Sequence, residues 1–188
     1  MLQELVGGDK PLRYLCEDET RLGLQTIPGR LITLKGVKPI GIVQWMGDNF
    51  YLYGVVEPLT GDSFFYEFSH LDSSCYQHFL ELVSCHWSDR IVVMQMDQGK
   101  FHSARDLDWP ENIIPIFQPA HSPELNPIER LWEHLKAQLQ GINFPNLTQL
   151  RRRLSDILKH LTPELIASLT GWEFITNAVL SLSSNLSH

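Results

Sequence analysis

Alternation of apolar and polar residues defines the first element of the chain. In LRYLCED, Leu12, Tyr14, Cys16 and Asp18 share one side of an extended segment and Arg13, Leu15 and Glu17 the other, which predicts a strand finishing in acid. Apolar runs at Ile40–Trp45 and Tyr51–Val56 flank Gly47-Asp48-Asn49, a hairpin signal, and Phe64–Phe68 reads as a shorter strand. The period then lengthens. Asp72–His86 turns Phe79, Leu80, Leu82 and Val83 inward at helical spacing. Ile91–Asp97 (IVVMQMD) is a short buried strand stopping in a carboxylate before the turn residues Gln98-Gly99, and Asn112–Phe117 supplies another strand. Asn126 and Pro127 then set a helix entrance, with Asn126 as cap and Ile128, Leu131, Leu135 and Leu139 as the buried stripe. Asn146 caps a further helix through about Leu161, and Thr162-Pro163-Glu164 starts a third.

Strands first, then helices, predict an α/β fold: a mixed sheet flanked by helices. The whole of 1–188 reads as a single domain, with a core over about 12–140, C-terminal helices over about 146–180 and a polar tail at Ser181–His188. Sites in such sheets gather at the carboxyl ends of strands, where Asp18 and Asp97 are expected.

Composition narrows the class. With 43% hydrophobic and 20% charged residues the chain can bury a sizeable core. No apolar run approaches the roughly 20 residues of a membrane span, and MLQELVGGDK lacks the apolar stretch of a secretory signal, so a cytoplasmic, nucleoid-associated protein with no membrane partner is expected. Three cysteines without CxxC spacing predict reduced thiols. Cys75, His78, Cys85 and His86 have zinc-ligand side chains, but their spacing is that of an amphipathic helix, which is the reading adopted. The net charge of −7 argues against bulk attraction to nucleic acid. Its distribution argues the other way: no acid lies between Arg21 and Gly47, a stretch holding Arg21, Arg30, Lys35 and Lys38, and 134–155 is also acid-free and holds Lys136 and Arg151-Arg152-Arg153. These basic residues are candidates to flank a DNA channel; a solvated basic face is the alternative.

The candidate chemistry is carboxylate chemistry. Glu129 stands at the third helical position after Asn126, in the first turn, where it either caps the helix or is aimed outward at a site. Two strands ending in Asp together with this Glu make an arrangement that costs energy unless positive charge fills its centre: like charges about 4 Å apart at an effective dielectric of about 20 repel by about 4 kcal/mol. Hard oxygen donors without a His or Cys neighbour favour Mg²⁺ or Mn²⁺, and a pair of such ions can clamp both oxygens of a phosphodiester displacement.

PELNPIERLW at 123–132, DQGKFH at 97–102 and EDETRLGL at 17–24 resemble the three blocks of an Asp-Asp-Glu (DDE) transposase of the mariner-related insertion-sequence superfamily, over about Leu12 to Gln140. The resemblance implies a ribonuclease H-like fold and a catalytic domain whose triad, Asp18, Asp97 and Glu129, holds two divalent cations. It implies cleavage and joining of transposon DNA ends. His102, in the second block, is a candidate contact to the metal-bound water or a phosphate, with an ordinary surface histidine as the alternative, and a homodimer is a candidate assembly. The 129 − 97 − 1 = 31 residues between the second and third acids are fewer than the family commonly shows, and Gln98 stands where Asn is more usual. Only seventeen residues precede Asp18, too few for the helix-turn-helix module such enzymes use on their terminal repeats, so that module is expected on a separately encoded or frameshift-fused part. Alternatives with the same residues are a ribonuclease H-like nuclease or resolvase without strand transfer, and an inactive remnant serving as an interaction domain.

Overall fold

The computed structural model describes residues 10–27, 35, 44–99, 107–120, 122–173 and 175–177. Five strands, β1 (Leu12–Gly23), β2 (Asn49–Val56), β3 (Ser63–Phe68), β4 (Ile91–Met96) and β5 (Ile113–Phe117), form one sheet in the order β3-β2-β1-β4-β5. β2 runs antiparallel to β1 and β3, whereas β1, β4 and β5 are parallel, giving the expected mixed sheet. The helices are α1 (Ser73–His86), α2 (Ile128–Leu139), α3 (Leu147–Lys159) and α4 (Pro163–Thr170), and a 3₁₀ turn at Pro123–Leu125 precedes α2.

Strand alternation divides the core into two layers. On one face Cys16, Leu22, Phe50, Leu52 and Val56 pack against the α2 stripe Ile128, Leu131, Leu135 and Leu139, with Leu150, Leu154 and Ile157 of α3 and Ile166 of α4 behind it. On the other face Leu15, Tyr53, Val55, Val92, Met94 and Met96 pack against Tyr76, Phe79, Leu80 and Val83 of α1. Leu82, expected inside, is half-buried, and Tyr76 takes the inward position. Asp72 caps α1 by accepting from the Cys75 amide, Asn146 caps α3 by accepting from Gln149, and Thr162 caps α4 by accepting from Leu165. All three cysteines are free, and among the described residues no helix is long and apolar enough to cross a membrane.

Two expectations are corrected. β1 does not finish at Asp18 but continues to Gly23, because its second edge takes over: β4 pairs with Leu12–Cys16, while β2 pairs with Cys16–Gly23 and keeps the acidic stretch extended. The hairpin expected across Gly47-Asp48-Asn49 is absent, since both edges of β2 are already occupied, by β1 and β3. Gln44 instead exchanges bonds with Thr26 beyond the end of β1, Trp45 is not in a strand, and positions 40–43 lie outside the described residues. The hairpin that forms joins β2 to β3. There the Glu57 amide donates to the Asp62 carbonyl, Gly61 adopts φ +77°, and the buried Glu57 carboxylate accepts from Arg13 at 2.5 Å.

A Cβ on Gly61 would lie 1.8 Å from the Pro163 carbonyl oxygen at the start of α4, in a backbone region that L side chains avoid. Gly61→Ala is therefore expected to destabilise the chain by about 2–3 kcal/mol, read as a lower urea midpoint at unchanged m-value. An unchanged midpoint would show that the β2–β3 turn is not packed on α4.

Candidate active site

The sheet brings the two aspartates together. The parallel β1·β4 ladder pairs Leu12 with Ile91 and ends at Cys16 with Gln95, an offset of 91 − 12 = 79 that carries Asp18 onto Asp97 (97 − 18 = 79). Strands in parallel register project equivalent residues to one face, and the Tyr14 hydroxyl donating to the Gln95 side chain confirms that face. Continued two residues beyond the ladder, that register directs Asp18 and Asp97 to one face of the sheet, and both line the same cavity. Asp97 follows the end of β4, is exposed, and accepts the Gly99 amide at 2.7 Å.

Glu129 reaches the same place from α2, as an acid in its first turn. Contrary to the expectation of an Asn126 cap, the Asn126 side chain does not cap this helix. The 3₁₀ turn delivers the chain with Pro127 already helical (φ −58°, ψ −29°), and the Asn126 amide group turns away to donate to the Glu17 main-chain carbonyl at 2.8 Å. Only its backbone carbonyl serves the helix, taking the Glu129 amide. Competition between a local cap and a buried strand carbonyl is won by the carbonyl, which otherwise loses a bond in the interior.

Asp18, Asp97 and Glu129 line one cavity of about 460 Å³, together with Gln118, Ser122 and Asn126. Burial, then the charges of Glu19 and Glu129, push the Asp18 carboxyl up from 3.8 to about 8, against the pull of the Glu19 amide and the Trp132 indole. Glu129 is raised by burial, with Glu133 and Asp97 adding to the effect and Lys136 opposing it. Among the described residues no three His, Cys, Asp or Glu side chains lie within reach of a single ion. The carboxylates share a cavity rather than one coordination sphere, each held on its own wall. Cys75, His78, Cys85 and His86 form no metal-holding group either, and they lie along α1.

The basic candidates divide. Lys136 lies close enough to Glu129 to pull its proton affinity down. Arg21 is exposed, and strand alternation puts it on the sheet face opposite Asp18. Lys35 is exposed, and Arg30, Lys38 and His102 lie outside the described residues. Arg151 is engaged by Glu67 at 2.6 Å and stacks on Phe50, so it is not free for a phosphate.

Residues 13–151 match the family model described as DDE superfamily endonuclease. The chain belongs to that family. Its relatives include the Tcb2 transposase of Caenorhabditis briggsae, 28% identical over 108 residues that make up 54% of this chain and 40% of the relative. The Tc3 transposase of Caenorhabditis elegans is 32% identical over 110 residues, 54% of this chain and 33% of the relative. The chain thus spans well under half of either transposase. Among solved structures, the pre-cleavage Mos1 transpososome has a TM-score of 0.69 at 14% identity, over 84% of this chain and 52% of that one. The Mos1 mariner paired end complex with Mn has a TM-score of 0.64 at 15% identity, over 84% and 51%. These likenesses establish the expected ribonuclease H-like fold.

In this DDE domain two side chains not among the expected site residues brace the surroundings of the acids. Trp132 is 1% exposed, as core packing requires, yet its indole N–H donates to Asp18 Oδ2 at 2.9 Å. Gln95, buried two residues before Asp97, donates to Gln118 and to the Leu125 carbonyl, tying β4 to the turn before α2. The available signal was Gln95 itself, a polar residue inside an otherwise apolar strand.

Proposed function

We propose that this chain is the catalytic domain of a transposase that cleaves and joins transposon DNA ends by phosphoryl transfer, with Asp18, Asp97 and Glu129 as catalytic residues. The observation that carries the reading is the convergence of these three acids on one cavity. Its cofactor in this reading is Mg²⁺ or Mn²⁺, as two ions, and the Mn in a Mos1 paired end complex supports the choice.

The residues fit such ions. The donors are hard carboxylate oxygens, the buried Asn126 Oδ1 beside them has no hydrogen-bond partner, and burial, then the charges of Glu19 and Glu129, raises the Asp18 proton affinity, so a cation there would offset the cost of the carboxylate. Bound Mg²⁺ or Mn²⁺ supplies Lewis-acid activation of an attacking water or 3′-hydroxyl and neutralises charge at the scissile phosphate. Asp18 from β1, Asp97 after β4 and Glu129 from α2 would hold the ions. Asp97, exposed where β4 ends, lines the cavity and accepts the Gly99 amide. Lys136, whose charge reaches Glu129, is a candidate DNA contact. Partners in this reading are the transposon ends and target DNA, a helix-turn-helix part that recognises the ends, and a second copy of the chain; its place is the cytoplasm, at the nucleoid.

The test is cleavage of supercoiled DNA carrying the element's ends. Nicked, linear and joined products are expected with Mg²⁺ or Mn²⁺ and none with EDTA. Cutting without joining would replace the transposase reading by a nuclease, and no cutting, alone or with a helix-turn-helix partner supplied, would overturn it.

A further inference from the structure

Two hydrogen bonds tie α2 and its entrance to β1, and they bracket Glu129. Asn126, three residues before it, donates to the Glu17 carbonyl at 2.8 Å; Trp132, three residues after it, donates to Asp18 Oδ2 at 2.9 Å. Both acceptors are consecutive residues of β1, at the point where the ladder with β4 has ended. The sheet clears the ground for the second bond. Gly54 lies opposite Asp18 on β2, and a Cβ there would meet the Trp132 ring at 2.6 Å, so the indole rests directly on bare backbone. Phe65 of β3 closes the other side, its ring 6.0 Å from that of Trp132 in an edge-on arrangement. A ring so enclosed has one place to put its N–H.

We infer that Asn126 and Trp132 are positioning residues that fix the Asp18–Glu129 separation and hold one oxygen of Asp18 so that the other is presented to a cation. This rests on the reading of the cavity as a divalent-cation site. A carboxylate tethered through one oxygen offers a single defined ligand, and a helix tied to the strand at both sides of Glu129 cannot slide along it. The free energy of ordering the two acids is then met when the chain folds, not when the cation binds. Gly54 takes part by absence: any side chain at that position displaces the indole and releases Asp18.

Trp132→Phe keeps most of the ring and removes the donor. In the 188-residue chain its Mn²⁺ affinity, measured by electron paramagnetic resonance, is expected to fall roughly 10–100-fold, with a melting temperature close to wild type and nicking restored by raising Mn²⁺. Should Trp132→Phe fail to fold, Asn126→Ser, which severs the other tether, is expected to weaken Mn²⁺ in the same direction. A measurement on the unaltered chain is independent of both: the Trp132 Nε1–H resonance is expected to shift as Mg²⁺ is added. Wild-type Mn²⁺ affinity in a folded Trp132→Phe or Asn126→Ser variant, or an indole resonance unmoved at saturating Mg²⁺, overturns the positioning role alone. Absence of Mn²⁺ binding by the wild-type chain overturns the cation site and this inference with it.

Discussion

Asp97→Asn is expected to lower Mg²⁺-dependent DNA cleavage by roughly 10³-fold or more while leaving the fold intact. Asp97 stands outside the β4 ladder, is exposed, and accepts the Gly99 amide. An Asn side chain has the same shape and an oxygen that still accepts that bond, so the turn survives. What is lost is the negative charge beside Asp18, one of three charges on the cavity wall. Surface changes of this kind alter stability by within about 0.5 kcal/mol, which for a chain of this length is a melting shift of roughly 2 °C at most. Cleavage assays and thermal melts on the same preparation check both halves. Full cleavage by Asp97→Asn would remove Asp97 from the catalytic set.

The second large effect is the pH dependence of the cation-free chain. The Asp18 carboxyl moves from an ordinary 3.8 to about 8 on folding, so between roughly pH 4 and pH 8 the folded chain holds a proton that the unfolded chain has released. The sign follows. The contribution of Asp18 to stability is fully present below pH 4 and is lost as pH rises toward 8. A loss on the order of 2 kcal/mol would lower the melting temperature by roughly 4–8 °C. A cation that requires the carboxylate reverses this trend, because its binding grows stronger as the competing proton leaves. Melts from pH 5 to 8.5 are therefore expected to fall without Mg²⁺ and to diverge upward with it. Asp18→Asn should abolish both the fall and the divergence; an unchanged slope in that variant would assign the titration to another group.

Legibility in the sequence tracked how local each feature is. Glu129 in the first turn of a helix, Asp97 at the end of a buried strand, the Asn146 cap and the helix start at Thr162-Pro163 all depend on neighbours within a few residues, and the structure agrees with each. The errors arose where one backbone or side-chain group had two competing partners. Acidic residues after Leu15 read as a strand terminus, but β2 holds them extended. Gly47-Asp48-Asn49 read as a hairpin, but the strand after it was already paired on both edges. Asn126 read as a cap, but a strand carbonyl more than a hundred positions away takes its side chain.

By itself the sequence determined the element types and two of the three acids in their local settings, because hydrophobic period and cap chemistry act over distances the chain order preserves. Tertiary structure alone decided that Asp18 shares a cavity with Asp97, that Trp132 grips Asp18 across 114 positions, and that Gly54 leaves room for it. Those relations depend on strand register and on the volume left between a helix and a sheet. Both are settled by burying two faces at once, and no local pattern of residues encodes them.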